Sequence, residues 1–248
     1  MTISSRGLQR RITTLNEQTQ KELAEIRENV QYFPGEVGEV SHFLFNEGAG
    51  HTHEEVSGND GTVTGAVWGQ DADGRFLSFD GVNDEVDFGA TDDYHSGIAA
   101  IATWEIILKA QPPTTTIGIP WQQGSAAAGN DLTFSIETHT DNDVRHRGRQ
   151  PAGGGTIWSV TCTGCLQWEA LTHIRLTWED GATPEQSLYV NDMATAQATA
   201  STGSGNLANT GVEELKFGVG SGGINFYKGK IYEAKIWSTV RSNQVLIL

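Results

Sequence analysis

The residues of this chain best suited to chemistry are three arginines spaced two apart. In Asp143-Val144-Arg145-His146-Arg147-Gly148-Arg149, an extended backbone would carry Arg145, Arg147 and Arg149 on one face, because successive side chains of a strand alternate sides. Guanidiniums grouped this way bind carboxylate or phosphate through charge-assisted hydrogen bonds. Trp121 and Trp158 flank the segment in sequence, and an indole offers a flat ring on which a pyranose can stack. Arg145, Arg147, Arg149, Trp121 and Trp158 are therefore the candidate ligand-binding residues. In the competing reading the arginines pair with acids such as Asp141, Glu137 or Glu169 across a sheet.

Other chemistry is thinner. Glycoside hydrolysis needs two carboxylates flanking the scissile bond, and no Glu-x-Asp-x-Glu strand occurs, so a non-enzymatic role is expected. In His51-Thr52-His53-Glu54-Glu55 the second histidine of a His-Glu-x-x-His zinc motif would fall at Ser57. Cys162-Thr163-Gly164-Cys165 is half a zinc site without a second pair. Reduced or loosely paired thiols are expected there, with a local disulfide about a Thr163-Gly164 turn and a shared metal as alternatives.

Two kinds of element must position these residues. Residues 1–31 place Leu8, Ile12, Leu15, Thr19, Leu23, Ile26 and Val30 on an eleven-residue repeat, which predicts a helix that packs on copies of itself, nearly straight or gently right-handed. A homotrimer is the expected assembly, with docking on another protein or folding back on its own domain as the other readings. Pro34 and Gly35 end the helix, and residues 32–38 read as a linker. From residue 39 onward, short β-type runs alternate with glycine and Asn/Asp clusters, among them Arg75 to Asp80, Thr103 to Leu108, Leu132 to Thr138, Thr172 to Trp178 and Lys230 to Trp237. This spacing predicts an all-β, two-sheet antiparallel sandwich over 39–248. Trp104, Trp168, Trp178 and Trp237 lie inside strand patterns and are expected in its core.

Charge narrows the partners. Five of the 16 basic and four of the 31 acidic residues fall in the helix, which leaves 11 against 27 for the remainder of the chain. A net charge of −15 argues against binding nucleic acid. No apolar run approaches the roughly 18 residues of a membrane helix, so no membrane insertion is expected.

Phe43-Leu44-Phe45-Asn46-Glu47-Gly48-Ala49-Gly50, then Ser57-Gly58-Asn59-Asp60-Gly61-Thr62-Val63, then Leu77-Ser78-Phe79-Asp80-Gly81-Val82-Asn83-Asp84-Glu85-Val86 closely resemble the opening of concanavalin A-like, laminin G-like jelly rolls. Leu188-Tyr189-Val190-Asn191-Asp192 and Gly229-Lys230-Ile231-Tyr232-Glu233-Ala234-Lys235-Ile236-Trp237 resemble later strands of that family, so the likeness spans about 39–245. It implies a jelly roll that binds glycans or proteins through loops and a concave sheet. Many relatives hold a structural calcium, which makes Asp80 and Asp84 candidate metal ligands and calcium a candidate cofactor. Glu55 and Tyr232 depart from the family's acidic pattern, and the alternative role for these acids is hydrogen bonding within turns.

No leader follows Met1, so folding in a cytoplasm is expected. A part assembled there, with a terminal amphipathic helix and a lectin-like jelly roll, suits the surface of a bacteriophage virion, as a tail fibre or a decoration protein. Glycan or host-surface attachment is the leading expectation. A purely structural cement protein contacting other virion subunits is the alternative, and a glycoside hydrolase is a more distant one.

Overall fold

The computed structural model describes residues 38–56, 58–90, 101–125, 131–149, 157–179, 182, 186–200, 214–220 and 223–241. The helix expected over 1–31 and most of the linker lie outside these residues. The chain divides into Met1–Val37 and Gly38–Leu248, and every described residue belongs to the second unit.

That unit is an all-β sandwich of two eight-stranded antiparallel sheets. The first sheet runs β14 (Ala198–Ala200), β13 (Gln186–Val190), β12 (Thr172–Glu179), β7 (Ile101–Ala110), β16 (Lys228–Trp237), β5 (Gly74–Asp80) and β4 (Val67–Asp71). β1 (Glu39–Leu44) joins it along β16, so that β5 pairs with Lys228–Ile231 and β1 with the stretch from Glu233 to Trp237. A register shift between Ile231 and Glu233 in the pairing of β16 with β7 coincides with this exchange of partners. The second sheet runs β11 (Ile157–Cys162), β10 (Val144–Arg149), β9 (Asp131–His139), β8 (Ile117–Ser125), β15 (Glu214–Phe217), β6 (Glu85–Ala90), β3 (Asp60–Thr64) and β2 (Thr52–His53). The expected strands are all present. Trp168 is not part of one: it sits in a turn ahead of β12 and packs its half-buried ring on the core.

Large rings join the sheets. Trp104 on β7 stacks on Phe134 of β9 at 4.5 Å and 21°, and Trp121 of β8 meets Phe134 edge-on at 5.5 Å. Phe43 and Phe45 converge on Phe217 at 5.2 and 5.1 Å. Offset or edge-to-face pairs of this kind add about 0.5–1.5 kcal/mol each beyond area burial. Trp104, Trp178 and Trp237 are fully buried, as their strand patterns indicate. Trp121 is buried as well, and this overturns its expected place as a stacking surface for sugar: β8 pairs Trp121 with Ile136 and Phe217, both core residues, and so turns the indole inward.

Backbone turns hold the sheets in register. Gly218 has φ +87°, and a Cβ there would strike the ring of Phe79 and the carbonyl of Asp84, so only glycine fits. Cys162 and Cys165 form a disulfide around the Thr163-Gly164 turn, in place of the reduced thiols the spacing suggests. Antiparallel pairing of Cys162 with Val144 sets the end of β11, and the turn then carries Cys165 back to 5.7 Å between Cα atoms.

One polar pair crosses the core. His146 of β10 lies wholly inside, 5.0 Å from Phe134 and 6.4 Å from Trp104 between ring centres, and its Nδ1 shares a 3.0 Å hydrogen bond with Gln186 Oε1 of β13. Burial pushes the imidazole pKa down to about 4, against a smaller upward pull from Gln186. The unfolded chain therefore takes up a proton below about pH 6.5 that the folded chain refuses, and stability is lost as pH falls from there toward 4. The expected loss between pH 7.5 and 4.5 is about 2–3 kcal/mol, or roughly 5–10 °C in Tm for a domain of this size. Calorimetry of H146Q should show a smaller acid shift than the parent; equal shifts would remove His146 as the cause.

Candidate functional site

Strand alternation on β10 sends Val144, His146 and Gly148 into the core and leaves Arg145 and Arg147 on the outer face of the second sheet. The expected arginine face is present for these two. Arg149 continues the strand opposite Ile157, and Trp158 pairs with Gly148; the side chains of Arg149 and Trp158 lie outside the described residues.

Glu137 of β9 lies beneath the arginines. It is 2% exposed; its Oε1 is 3.5 Å from Arg147 Nε and its Oε2 4.0 Å from Arg145 Nη1. His139 Nε2 hydrogen-bonds the same Oε2 at 3.0 Å. Arg145 Nε donates to Thr161 Oγ1 on β11 at 3.2 Å. The arginine side chains remain 28% and 35% exposed. The structural pairing weighed against ligand binding therefore exists, and among the described residues it sets one carboxylate against two part-exposed guanidiniums.

The hairpin end that carries this cluster is tied down. Asn142, at φ +68°, exchanges bonds with Leu166, giving its Nδ2–H to the carbonyl and accepting from the amide at 2.9 Å each. Asp143 accepts from the Gly164 amide at 2.8 Å. Thus the disulfide turn and the β9–β10 turn brace each other, and Thr161, which holds Arg145, lies between them.

Across the same face the register continues Arg147, Ser135, Gln122, Lys216 and Asp87 on five neighbouring strands. Ser135 Oγ and Gln122 Oε1 are buried without a hydrogen-bond partner. Lys216 is held by Asp87 at 3.1 Å and Glu214 at 3.2 Å. Burial disfavours its charge, but these two acids outweigh that effect and raise its pKa. Sequence reading reached Glu137 as a partner but missed His139, Ser135, Gln122 and Lys216, which only the pairing of β8, β9, β10 and β15 brings into line.

The outer face of the first sheet is built differently. Glu105 holds His173 at 3.1 Å and also the buried Arg175, while Glu233 accepts from His42 and Lys235, each at 2.8 Å. The His42 and Lys235 contacts overcome burial and bring the Glu233 pKa down to about 2. At the far side, Asp71 collects Lys109 at 3.0 Å, Lys230 at 2.9 Å and the Tyr232 hydroxyl at 2.8 Å. Burial opposes ionisation of Asp71, but these three donors hold its carboxyl well below the usual carboxylate range. Tyr232, where the resembled family has an acid, thus serves as a donor, with its pKa pushed up to about 12 mainly by burial and by Asp71.

Asp80 and Asp84 work inside one turn. Asp84 is buried and accepts from the Asp80 amide at 2.6 Å, and Asp80 accepts from the Val82 amide at 2.7 Å. Burial, with the Asp80 charge nearby, raises the Asp84 pKa against the bond from the Asp80 amide. Both acids thus make the turn's own hydrogen bonds, the role weighed against calcium binding. Addition of a chelator should move the melting midpoint by less than about 3 °C. A larger drop restored by calcium would reverse that reading.

No protein-family model matches the chain, and no curated protein matches it by sequence. Solved structures do resemble it in fold. A Ruminococcus gnavus intramolecular trans-sialidase carbohydrate-binding module of type CBM40, bound to α2,6-sialyllactose, aligns with TM-score 0.51 and 15% identity over 68% of this chain and 92% of that one. A Trypanosoma rangeli sialidase in complex with 2,3-difluoro-KDN aligns with TM-score 0.57 and 13% identity over 84% of this chain. Only 31% of that sialidase is covered. A leech intramolecular trans-sialidase gives 0.50 and 17% over 64% of this chain and 26% of its own. At these identities the likeness shows a shared β-sandwich fold and nothing finer.

Proposed function

We propose that the β-sandwich is a non-enzymatic glycan-binding module that holds an acidic sugar on the outer face of its second sheet, with Arg145 and Arg147 as the anion contacts. The observation that carries this reading is the imbalance at Glu137: two part-exposed guanidiniums share one buried carboxylate on a domain otherwise rich in acid. Such a surplus binds a small anion while the surrounding negative charge repels large ones. The resemblance to a module solved with sialyllactose supports a carboxylated sugar as the first ligand to try. Arg149, next on the strand, is included as a third contact, and Trp158 stays the candidate ring.

In the same reading the module sits on a virion surface, with residues 1–31 as a helix that joins copies into a trimer. Fibre-like attachment is favoured over a decoration role because an uncompensated cation facing solvent has no use in a purely structural shell protein.

Two measurements test this reading. Titration calorimetry with sialyllactose should show affinity that weakens with salt, since part-exposed charges are screened over about 8 Å at physiological ionic strength. R147A should lower that affinity at least tenfold, from one lost charge-assisted contact of about 1.5–3 kcal/mol, and move Tm by no more than about 3 °C, because Arg145 and His139 remain on Glu137. Unchanged affinity with a strongly destabilised domain would return the arginines to a structural role. For the assembly, light scattering should give a multiple of the chain mass for residues 1–248 and a single mass after removal of 1–36; an oligomer that survives the deletion would overturn the helix assignment.

A further inference from the structure

The hydrogen bonds of the arginine cluster run away from its ion pairs. Glu137 and His139 are both buried, and a buried carboxylate needs a donor. Two guanidiniums stand beside Glu137, yet its short bond goes to an imidazole. His139 Nε2 lies 3.0 Å from Oε2, while Arg145 Nη1 is 4.0 Å from that same oxygen and Arg147 Nε is 3.5 Å from Oε1. Both arginine separations exceed the roughly 2.7–2.9 Å of a charge-assisted N–H···O bond. A carboxylate has no proton to give, so Nε2 is the donor. His139 follows Glu137 by two along β9 and shares its face, so the bond draws the carboxylate along its own strand instead of across to β10. The histidine is fixed at the hairpin, where its amide donates to the Asp143 carbonyl and its own carbonyl accepts from Asn142, each at 3.0 Å. On the other side Arg145 Nε donates to Thr161 Oγ1 at 3.2 Å, which draws the guanidinium toward β11. The opposition is direct, since Glu137, Arg145 and Thr161 stand in register on β9, β10 and β11.

We propose that His139 is a positioning residue of the binding face: by holding Glu137 it keeps the two arginines unclasped and available to an anion from outside. This rests on the reading of Arg145 and Arg147 as the anion contacts. A carboxylate set between two guanidiniums would otherwise close on one of them in a forked pair, and a ligand would have to break that pair before it could bind. With Oε2 already taken by His139, no such pair has to be broken. The donors are then arranged in advance, and less of the contact energy is lost on binding. Glu137 keeps a use in this arrangement, because its charge holds two mutually repelling guanidiniums on one face. Thr161 contributes to the same end from the opposite strand.

The test is sialyllactose affinity of the full chain. H139L removes the donor, so Glu137 Oε2 should turn to its nearest cation, Arg145, and affinity should fall about fivefold or more, as part of one charge-assisted bond is lost to the ligand. H139Q, whose amide can donate from nearly the same place, should recover most of that loss. E137Q shows whether the effect runs through the carboxylate. It should bind at least as tightly as the parent, and adding H139L to it should cost no more than about twofold, the strong coupling of a double-mutant cycle. T161V should repeat the pattern from the other side of Arg145, with a loss alone and little loss beside E137Q, and it supplies the measurement if H139L does not fold. An H139L loss that persists in the E137Q background would make His139 a structural support only and overturn the proposal. So would H139L and T161V that bind like the parent while R147A still lowers affinity, a result that leaves the arginine site standing. Binding indifferent to R147A would overturn the arginine reading and this proposal with it.

Discussion

Everything on the surface of this sandwich depends on which residues the two sheets turn toward each other, and that choice is fixed where Trp104 stacks on Phe134 and Trp121 packs against Phe134 and Phe217. Side chains on a strand alternate with a period of two, so a slip of one residue would exchange the faces entirely. With Phe134 and Ile136 anchored inward, Ser135 and Glu137 must face out. Pairing of β10 with β9 then places Val144, His146 and Gly148 inside and Arg145 and Arg147 outside. The arginine cluster is thus a consequence of apolar packing on the other side of the sheet. Reversal would drive two guanidiniums into an aromatic layer, at a cost far above the stability of an ordinary domain.

The two outer faces differ in how their charges are compensated. On the first, charges are matched and covered. Arg175 is fully buried against Glu105, and its guanidinium reaches the carbonyl of Arg241. The segment after β16 lies there, bonded through Thr239 and Arg241 to Thr103. Asp71 likewise meets two lysines and a tyrosine, and Lys109 also pairs with Asp73. Such networks hold strands together and leave little field outside. On the second sheet, among the described residues, Arg145 and Arg147 share Glu137 at one end while Lys216 is shared by Asp87 and Glu214 at the other.

Much of the architecture was legible in the sequence because it is written in local patterns. Alternation marked β12 and β10, glycine and Asn/Asp clusters marked turns, and tryptophans within strand runs marked core positions such as Trp104, Trp178 and Trp237. Trp121 deceived for a physical reason: β8 has register shifts between Gly118 and Trp121 and between Gln123 and Gly124, and a bulge reassigns faces without leaving a trace in spacing. Cys162 and Cys165 were open to several readings because spacing alone does not say that β11 ends at Cys162 and turns back. Lys216 and Asp87 were out of reach, since their alignment with Arg147 depends on pairings between strands far apart in sequence. Alternation on β12 also understates burial, for Arg175 and Thr177 are as hidden on the outer face as their neighbours are in the core.

The two sides of β10 are coupled by a single residue. His146 lies between Arg145 and Arg147 in the chain and carries the bond to Gln186 that crosses to the first sheet. A neutral imidazole suits that place on two grounds. Its surroundings are aromatic and dry, so a charge there would be left without solvent, and an imidazolium would lie on the same strand as two guanidiniums that already exceed their carboxylate. Neutral His146 lets the strand keep its cations outside and its apolar contacts inside. A methyl or phenyl group in its place would fill the core but lose the directional tie to β13, which fixes β10 against the opposite sheet. The arginines need that fixity, because charge-assisted bonds to a small anion weaken steeply when their donors are misplaced. The outer face of β10 is therefore held from beneath, by a polar contact buried between the sheets.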